Sequence, residues 1–155
     1  MSITSDRSFE LVANGGVSRE VFGDDWPIRA GSVGGSVAKR ACLLHIAYGR
    51  WLVHDPDQEL ERRLDELVKA GVALLIDVTG KWTSVPMAEP NASRVLATGV
   101  AVEIVLAERE CASIWLFDCP VVLARTGSQL ALWVQSSYAP SFCATLASIV
   151  NRSEA

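Results

Sequence analysis

The chain has 155 residues and a formal net charge of −4, with 21% charged and 50% apolar residues. This length predicts one domain, and the acidic balance excludes a general nucleic-acid-binding surface, which needs clustered Lys and Arg. No apolar run reaches the roughly 20 residues that span a bilayer, and residues 1–7 show no signal peptide. We therefore expect a cytoplasmic protein with no membrane partner. The mean hydropathy of +0.25 predicts exposed apolar surface that another chain covers.

Residues 1–40 are predicted to form an extended N-terminal arm that precedes a single domain at residues 41–155. Glycines interrupt any regular period in this arm, and apolar residues such as Phe9 and Trp26 stand alone along it. Such a segment either wraps a partner surface or is a loosely packed terminus. The Gly-rich stretch 31–39 lacks both common phosphate-loop patterns, so we interpret it as a flexible loop.

Residues 42–54 predict a β-hairpin with a two-residue turn at Gly49 and Arg50. This register would place His45 directly opposite His54 on the neighbouring strand. Two imidazoles so placed could hold a metal ion, but a catalytic zinc site takes three protein ligands and the sequence offers no obvious third. The preferred interpretation is that both are ordinary, half-exposed strand residues, and no metal site is predicted.

The clearest predicted element is the helix after the hairpin. Asp55 is the expected N-cap, Pro56 occupies the first helical position, Gln58 completes a capping box, and Gly71 ends the helix.

The remaining elements follow at short intervals. They are a buried strand at 72–78, an alternating strand at 82–87, a helix at 90–98, a three-strand meander at 112–117, 120–125 and 129–135, and a last helix at 137–150. The order ββα, ββα, βββα predicts an α+β fold with a mixed or mostly antiparallel sheet and about three helices packed on it.

Neighbouring residues assemble no complete catalytic, cofactor-binding or metal site. The four cysteines, at positions 42, 111, 119 and 143, lack zinc-site spacing and show no adjacent base that would activate a thiolate. Disulfides are not expected without a secretory signal, and no G-x-S-x-G motif is present. We therefore predict no catalytic, cofactor-binding or metal-ligating residue in this chain.

The five tryptophans are many for this length. Core packing accounts for some of them, but Trp is also enriched at the energetic centres of protein interfaces. The sequence therefore marks Trp26, Trp82 and Trp133 as candidate partner-interface residues.

Two segments resemble a known signature. Asp77-Val78-Thr79, followed by the segment EPNASRVLATG at 89–99, resembles the pattern D-V-S … G-P-x-A-x-x-x-L-A-x-G. That pattern is typical of the gamma subunit of heterotetrameric sarcosine oxidase, a family similar to the first, folate-binding-type domain of the glycine-cleavage T protein. Trp51-Leu52 and the Ser-Tyr-Ala at 137–139 are similar to the family's early strand and its ending. The resemblance covers residues 40–150.

The resemblance implies an accessory, non-catalytic subunit of a hetero-oligomeric, flavin-dependent amine oxidoreductase of the sarcosine oxidase kind. It implies larger flavoprotein subunits as partners, and FAD, FMN, NAD and tetrahydrofolate bound in those subunits, with no cofactor bound by this chain. The reaction of the complex would be oxidative demethylation of an N-methyl amino acid or a related amine. Two alternatives stay open: a small folate- or one-carbon-binding protein of the T-protein kind, and an interaction domain of an unrelated complex.

Overall fold

The computed structural model describes residues 7–13, 30–35, 42–99 and 106–152. These residues form nine strands and three helices. The strands are β1 (Ser8–Ala13), β2 (Val33–Gly35), β3 (Cys42–Ala47), β4 (Arg50–His54), β5 (Ala73–Asp77), β6 (Trp82–Ala88), β7 (Cys111–Leu116), β8 (Cys119–Thr126) and β9 (Gln129–Gln135). The helices are α1 (Gln58–Lys69), α2 (Asn91–Gly99) and α3 (Ala139–Asn151).

The strands form two sheets rather than the one sheet predicted. The first has five strands in the order β2-β3-β4-β1-β5, and the second has four in the order β6-β9-β8-β7. Every neighbouring pair in both sheets is antiparallel. The predicted α+β class with three helices is confirmed. The division into two sheets escaped prediction because it depends on long-range pairing, and hairpin signals report only on sequence neighbours.

Three buried apolar clusters define four layers. Helix α1 covers one face of the first sheet, where Leu64 packs against Leu11 of β1. The other face of this sheet packs on the second sheet through residues such as Leu52 and Trp133. Helices α2 and α3 cover the outer face of the second sheet, with Phe142 of α3 in that cluster. Because successive side chains of a strand point to opposite faces of its sheet, each strand contributes residues to the layers on both sides.

Two segments of the predicted N-terminal arm are integral to the first sheet. Strand β1 lies between β4 and β5, so it occupies an interior position, and β2 pairs with β3 at one edge. The predicted boundary at residue 40 therefore does not divide the described fold. Strand β1 was not predicted, because a strand of six residues is too short for its alternation of apolar and polar side chains to stand out from the irregular arm around it.

The turn of the β3–β4 hairpin lies one residue earlier than predicted. Tyr48 and Gly49 occupy it, and Ala47 pairs with Arg50 next to an irregularity in β3. Gly49 has a φ of +68°, and a Cβ atom on it would lie 2.8 Å from the carbonyl oxygen of Ala13. Glycine is required at this second turn position both by the backbone conformation and by the close approach of β1.

Helix α1 is confirmed, but its cap differs from the prediction. The Asp57 side chain accepts a hydrogen bond from the backbone N–H of Leu60 at 2.8 Å. Asp55 lies outside the helix with a φ of +45°. Both aspartates suit a cap by residue type, but an N-cap residue has extended backbone angles, which Asp57 adopts and Asp55 does not. Gly71, with a φ of +72°, follows the helix as predicted.

Candidate partner surface

Of the three tryptophans predicted at a partner interface, two lie in the described part of the chain and Trp26 lies outside it. Trp133 is 1% exposed, and its ring centroid lies 5.4 Å from that of His54 in an edge-on contact between the sheets. In this fold Trp133 therefore offers almost no surface to a partner. Trp82, the first residue of β6, is half-buried, and the Lys81 ammonium lies 5.5 Å from its ring centroid.

The two histidines predicted to face each other lie on opposite faces of the first sheet. His45 pairs with Trp51 and stacks on its ring at a centroid distance of 4.3 Å. His54 pairs with Cys42 and points toward the second sheet. The prediction was wrong because a register shift of one residue reverses the face of a side chain. No group of three or more potential metal ligands occurs among the described residues.

The fold brings together a serine and a histidine that the sequence analysis did not connect. Ser8 Oγ lies 3.2 Å from His54 Nδ1, and the backbone N–H of Ser8 donates to Thr79 Oγ1 at 3.1 Å. A Ser–His pair is the starting point of nucleophilic catalysis. Ser8 and His54 are only 0% and 2% exposed, however, so a substrate has no access to the hydroxyl. The pair satisfies polar atoms between the sheets.

Two cysteines between the sheets are poorly suited to chemistry. Burial raises the pKa of the Cys42 thiol, and it raises the pKa of the Cys111 thiol to about 11. Both residues belong to the cluster between the sheets. Because the thiolate is the nucleophilic form, both thiols are protonated and unreactive at neutral pH. Burial also raises the pKa of Cys143.

Strand β5 and the residue before it carry the largest run of exposed apolar side chains in the described residues. Val72, Leu74 and Ile76 are 49%, 56% and 42% exposed, whereas Leu75 packs on the α1 side. A strand is present as predicted, but its predicted burial was wrong, because β5 lies at the edge of the first sheet and the described residues leave its side toward the second sheet uncovered. A continuous apolar run does not distinguish a strand covered on both faces from one covered on a single face.

Register shows what surrounds the exposed side chains of β5. Leu74 pairs with Val12, and Ile76 pairs with Glu10. Val12 in turn pairs with Arg50 of β4. Directly paired residues point to the same side of a sheet, so all of these lie on the side that looks toward the second sheet. We call Val12, Leu74 and Ile76 the β5 face.

Three charged residues adjoin the β5 face, and we call them the cationic cluster. Glu10 accepts from Lys81 Nζ at 2.7 Å and from Arg50 Nη2 at 2.8 Å. The Glu10 side chain is 10% exposed, whereas those of Arg50 and Lys81 are 53% and 44% exposed. The hydrogen bond from Lys81 is the main cause that lowers the pKa of the Glu10 carboxyl, with a smaller contribution from Arg50, although burial opposes both. Two cations and one ionised carboxylate leave one net positive charge at the surface.

A shallow apolar depression of about 190 Å³ lies on the second sheet beyond this cluster. Trp82, Trp115, Pro120 and Val122 line it, among others, and Trp115 is 70% exposed. Small-molecule pockets typically measure roughly 300–1,000 Å³. The depression is therefore better sized for one side chain of a partner than for a cofactor. We call it the tryptophan depression.

The β5 face, the cationic cluster and the tryptophan depression together form the candidate partner surface. Lys81 links them, because it contacts both the Glu10 carboxylate and the Trp82 ring. Apolar centres flanked by Arg and aromatic side chains are typical of protein interfaces. The arrangement can bind a protein segment, and its described residues include no accessible nucleophile with a base beside it.

Of this surface, sequence reasoning predicted only Trp82. Glu10 could have been noticed in the sequence, since it is a charged residue between Phe9 and Leu11 in a short apolar run of the predicted arm. Trp115 had a weaker signal, because its strand was predicted without an assignment of its exposed face. The exposure of Leu74 and Ile76 had no sequence signal, because it follows from the edge position of β5.

Comparison with known proteins gives a strong structural similarity. No protein-family model matches the sequence, and no protein with a curated description matches it. The fold is similar to that of a chain of the heterotetrameric sarcosine oxidase from Corynebacterium sp. U-96, solved in complex with pyrrole 2-carboxylate, with a TM-score of 0.82 and 17% sequence identity. The match covers 98% of this chain and 83% of the other.

This similarity establishes the fold, an α+β domain shared with a chain of a hetero-oligomeric oxidoreductase, and it agrees with the family resemblance noted in the sequence. Within the described ranges, none of the helices has both the length and the apolar character required to cross a membrane.

Proposed function

We propose that this protein is an accessory, non-catalytic subunit of a hetero-oligomeric, flavin-dependent amine oxidoreductase of the sarcosine oxidase kind, in which it docks on a larger flavoprotein subunit and stabilises it. The observation that carries this proposal is the fold similarity over 98% of the chain to a component of a heterotetrameric sarcosine oxidase. A fold does not determine a function by itself. The likeness therefore supports the proposal together with the surface described above.

Two properties of the described residues support a docking role over a catalytic one. The groups that could take part in catalysis are buried between the two sheets, where they contribute to the packing of one sheet on the other. They are the Ser8–His54 pair and the thiols of Cys42 and Cys111. The accessible features are instead the apolar β5 face and the exposed ring of Trp115. Large exposed apolar patches on a small domain usually mark a protein interface.

The proposal places the redox chemistry in the partner subunits. There FAD, FMN and NAD would carry the electrons, and tetrahydrofolate would accept the one-carbon unit released from an N-methyl amino acid or a related amine. This chain would bind none of these cofactors. We place the complex in the cytoplasm.

The proposal is tested by isolating an affinity-tagged copy of the chain from its own host. We expect a larger protein to co-purify in fixed stoichiometry, to show flavin absorbance, and to be identified by mass spectrometry as an amine oxidoreductase subunit. A monomeric chain with no companion would contradict the proposal. A stoichiometric companion without flavin would favour the alternative of an interaction domain in an unrelated complex.

The folate-binding alternative requires a separate measurement. Titration of the isolated chain with tetrahydrofolate in a calorimeter is expected to show no saturable heat, since the tryptophan depression, which lies in the described part of the chain and measures about 190 Å³, is smaller than typical ligand pockets. Saturable binding at a one-to-one ratio would support a one-carbon-binding protein instead.

A further inference from the structure

We propose that an extended segment of the larger partner subunit pairs edge-to-edge with β5, and that this segment carries apolar side chains at alternating positions and a carboxylate opposite the cationic cluster. This inference rests on the proposed function for the identity of the partner. It adds the site, the binding mode and the chemistry of the occupant.

The backbone of β5 provides the first argument. Strand β5 pairs with β1 on one side, and no described residue pairs with its other side. Its outward N–H and C=O groups are a template for another strand. Proteins usually protect such edges with Pro, Lys or a bulge. Strand β6, an edge of the second sheet, contains Pro86, whereas the sequence ALLID of β5 has no Pro or Lys.

The side-chain pattern provides the second argument. Leu74 and Ile76 are 56% and 42% exposed and lie two residues apart on one side of the sheet. An added strand presents its own side chains at the same two-residue spacing. Its apolar residues would therefore extend the β5 face, because neighbouring strands pack their paired side chains together. Strand addition of this kind takes affinity from the backbone and specificity from alternate side chains.

Charge provides the third argument and favours one occupant. Glu10 pairs with Ile76 of β5, and its carboxylate holds the ammonium of Lys81, which follows β5 in the chain, at 2.7 Å. Arg50, on β4, is separated from β5 by β1, so Lys81 is the cation that a carboxylate on the incoming strand would meet. The cationic cluster keeps one net positive charge after Glu10 is counted, although the protein as a whole carries −4. A carboxylate on the incoming segment would complete this cluster, since opposite charges across an interface set register and exclude wrong partners.

A second copy of the chain fits this surface less well. The carboxylate of β5, Asp77, has the same parity as Leu75, which packs on the α1 side, so it points away from Arg50. An antiparallel β5–β5 dimer therefore supplies no carboxylate from β5 to either cluster.

The experiment compares three forms of the tagged full-length chain in complex with the co-purified flavoprotein. Leu74→Asp places a carboxylate where the partner's apolar residue would pack. The matched control, Val68→Asp, makes a similar change at an exposed position of α1, where Val68 is 38% exposed. We expect Leu74→Asp to weaken the affinity at least tenfold, on the order of an interface hot-spot effect, while Val68→Asp binds like the wild type. If Leu74→Asp does not fold, Leu74→Ser tests the same contact more mildly.

Hydrogen–deuterium exchange supplies a direct test of strand pairing. In the complex, the outward amides of residues 73–77 should exchange at least about tenfold more slowly than in the free chain, because they become hydrogen-bonded. Lys81→Gln should make the affinity less sensitive to salt, since it removes the cation of the cluster that an incoming carboxylate would meet.

The possible outcomes separate the two proposals. If the wild-type chain co-purifies a flavoprotein and Leu74→Asp binds it as tightly as Val68→Asp, the β5 site is overturned and the proposed function stands. If the wild type captures no flavoprotein, the proposed function itself fails. If Leu74→Asp abolishes a dimer of the free chain and leaves flavoprotein binding unchanged, the occupant is a second copy and this inference is overturned.

Discussion

Replacing Glu10 with Gln removes the charge that holds Arg50 and Lys81 together while keeping the size of the side chain. Glu10 is 10% exposed and accepts hydrogen bonds from both cations at 2.8 and 2.7 Å. A hydrogen bond to a charged group contributes about 1.5–3 kcal/mol when it is buried. The two cations are 53% and 44% exposed, so water compensates much of the loss. We expect Glu10→Gln to lower the free energy of unfolding by about 2 kcal/mol at pH 7.

The pH dependence of this loss identifies its cause. The pKa of Glu10 is lowered in the folded protein from an ordinary value of 4.5. Its ionised form therefore stabilises the fold at pH values above the unfolded-state pKa. That stabilisation disappears as the pH falls through the lower, folded-state pKa. The difference between wild type and Glu10→Gln should be full at pH 7 and should shrink progressively below a pH of about 4.5.

Urea unfolding followed by tryptophan fluorescence at pH 7 and at several acidic pH values measures both effects. Glu108→Gln, at an exposed turn residue, is the control and should leave stability unchanged at every pH. An unchanged midpoint for Glu10→Gln at pH 7 would refute the stabilising role of the cationic cluster. A loss that persists unchanged at acidic pH would show that packing, and not charge, is its origin.

The remaining predictions concern the turn, the core and the thiols. Gly49→Ala should destabilise the fold by about 1–3 kcal/mol, because its Cβ would lie 2.8 Å from a backbone carbonyl oxygen; Gly80→Ala, also at a positive φ but with no atom within 4 Å, should cost less in the same urea titration. Leu132→Ala, at a fully buried position of β9, should cost about 2–5 kcal/mol, and a thermal midpoint like that of the wild type would contradict the core assignment. The Cys42 and Cys111 thiols should react with a disulfide reagent at pH 8 only as fast as the protein unfolds, because burial raises the pKa of both; rapid labelling of either in the native protein, mapped by mass spectrometry, would show that the space between the sheets is open.

The hairpin and helix α1 show what short-range signals predict well. The sequence places a turn within one residue of its true position and a helix end at Gly71, because both depend on the conformational preferences of neighbouring residues. The register of the hairpin was missed, since an irregularity between His45 and Ala47 adds one residue to β3. That extra residue places His45 on the face opposite to His54, whereas the regular hairpin predicted from the sequence pairs the two histidines.

Strand β5 and Glu10 show what short-range signals do not predict. The apolar run at 72–78 indicates a strand, but the exposure of Leu74 and Ile76 depends on β5 having a neighbour on one side only. Glu10 gains its role from Arg50 and Lys81, which lie 40 and 71 residues away along the chain. Neither fact is encoded in a local period, because a period reports which side of an element is apolar and not what covers it.

The sequence by itself determined the α+β class, most helices and strands, the paucity of local catalytic motifs and the excess of apolar residues. Each of these is a property of composition or of residues a few positions apart. The tertiary structure decided that there are two sheets, that β1 lies inside the first of them, and that the exposed apolar residues gather beside a cationic cluster. These depend on which distant strands pair, and that choice is made by the summed packing of the whole chain.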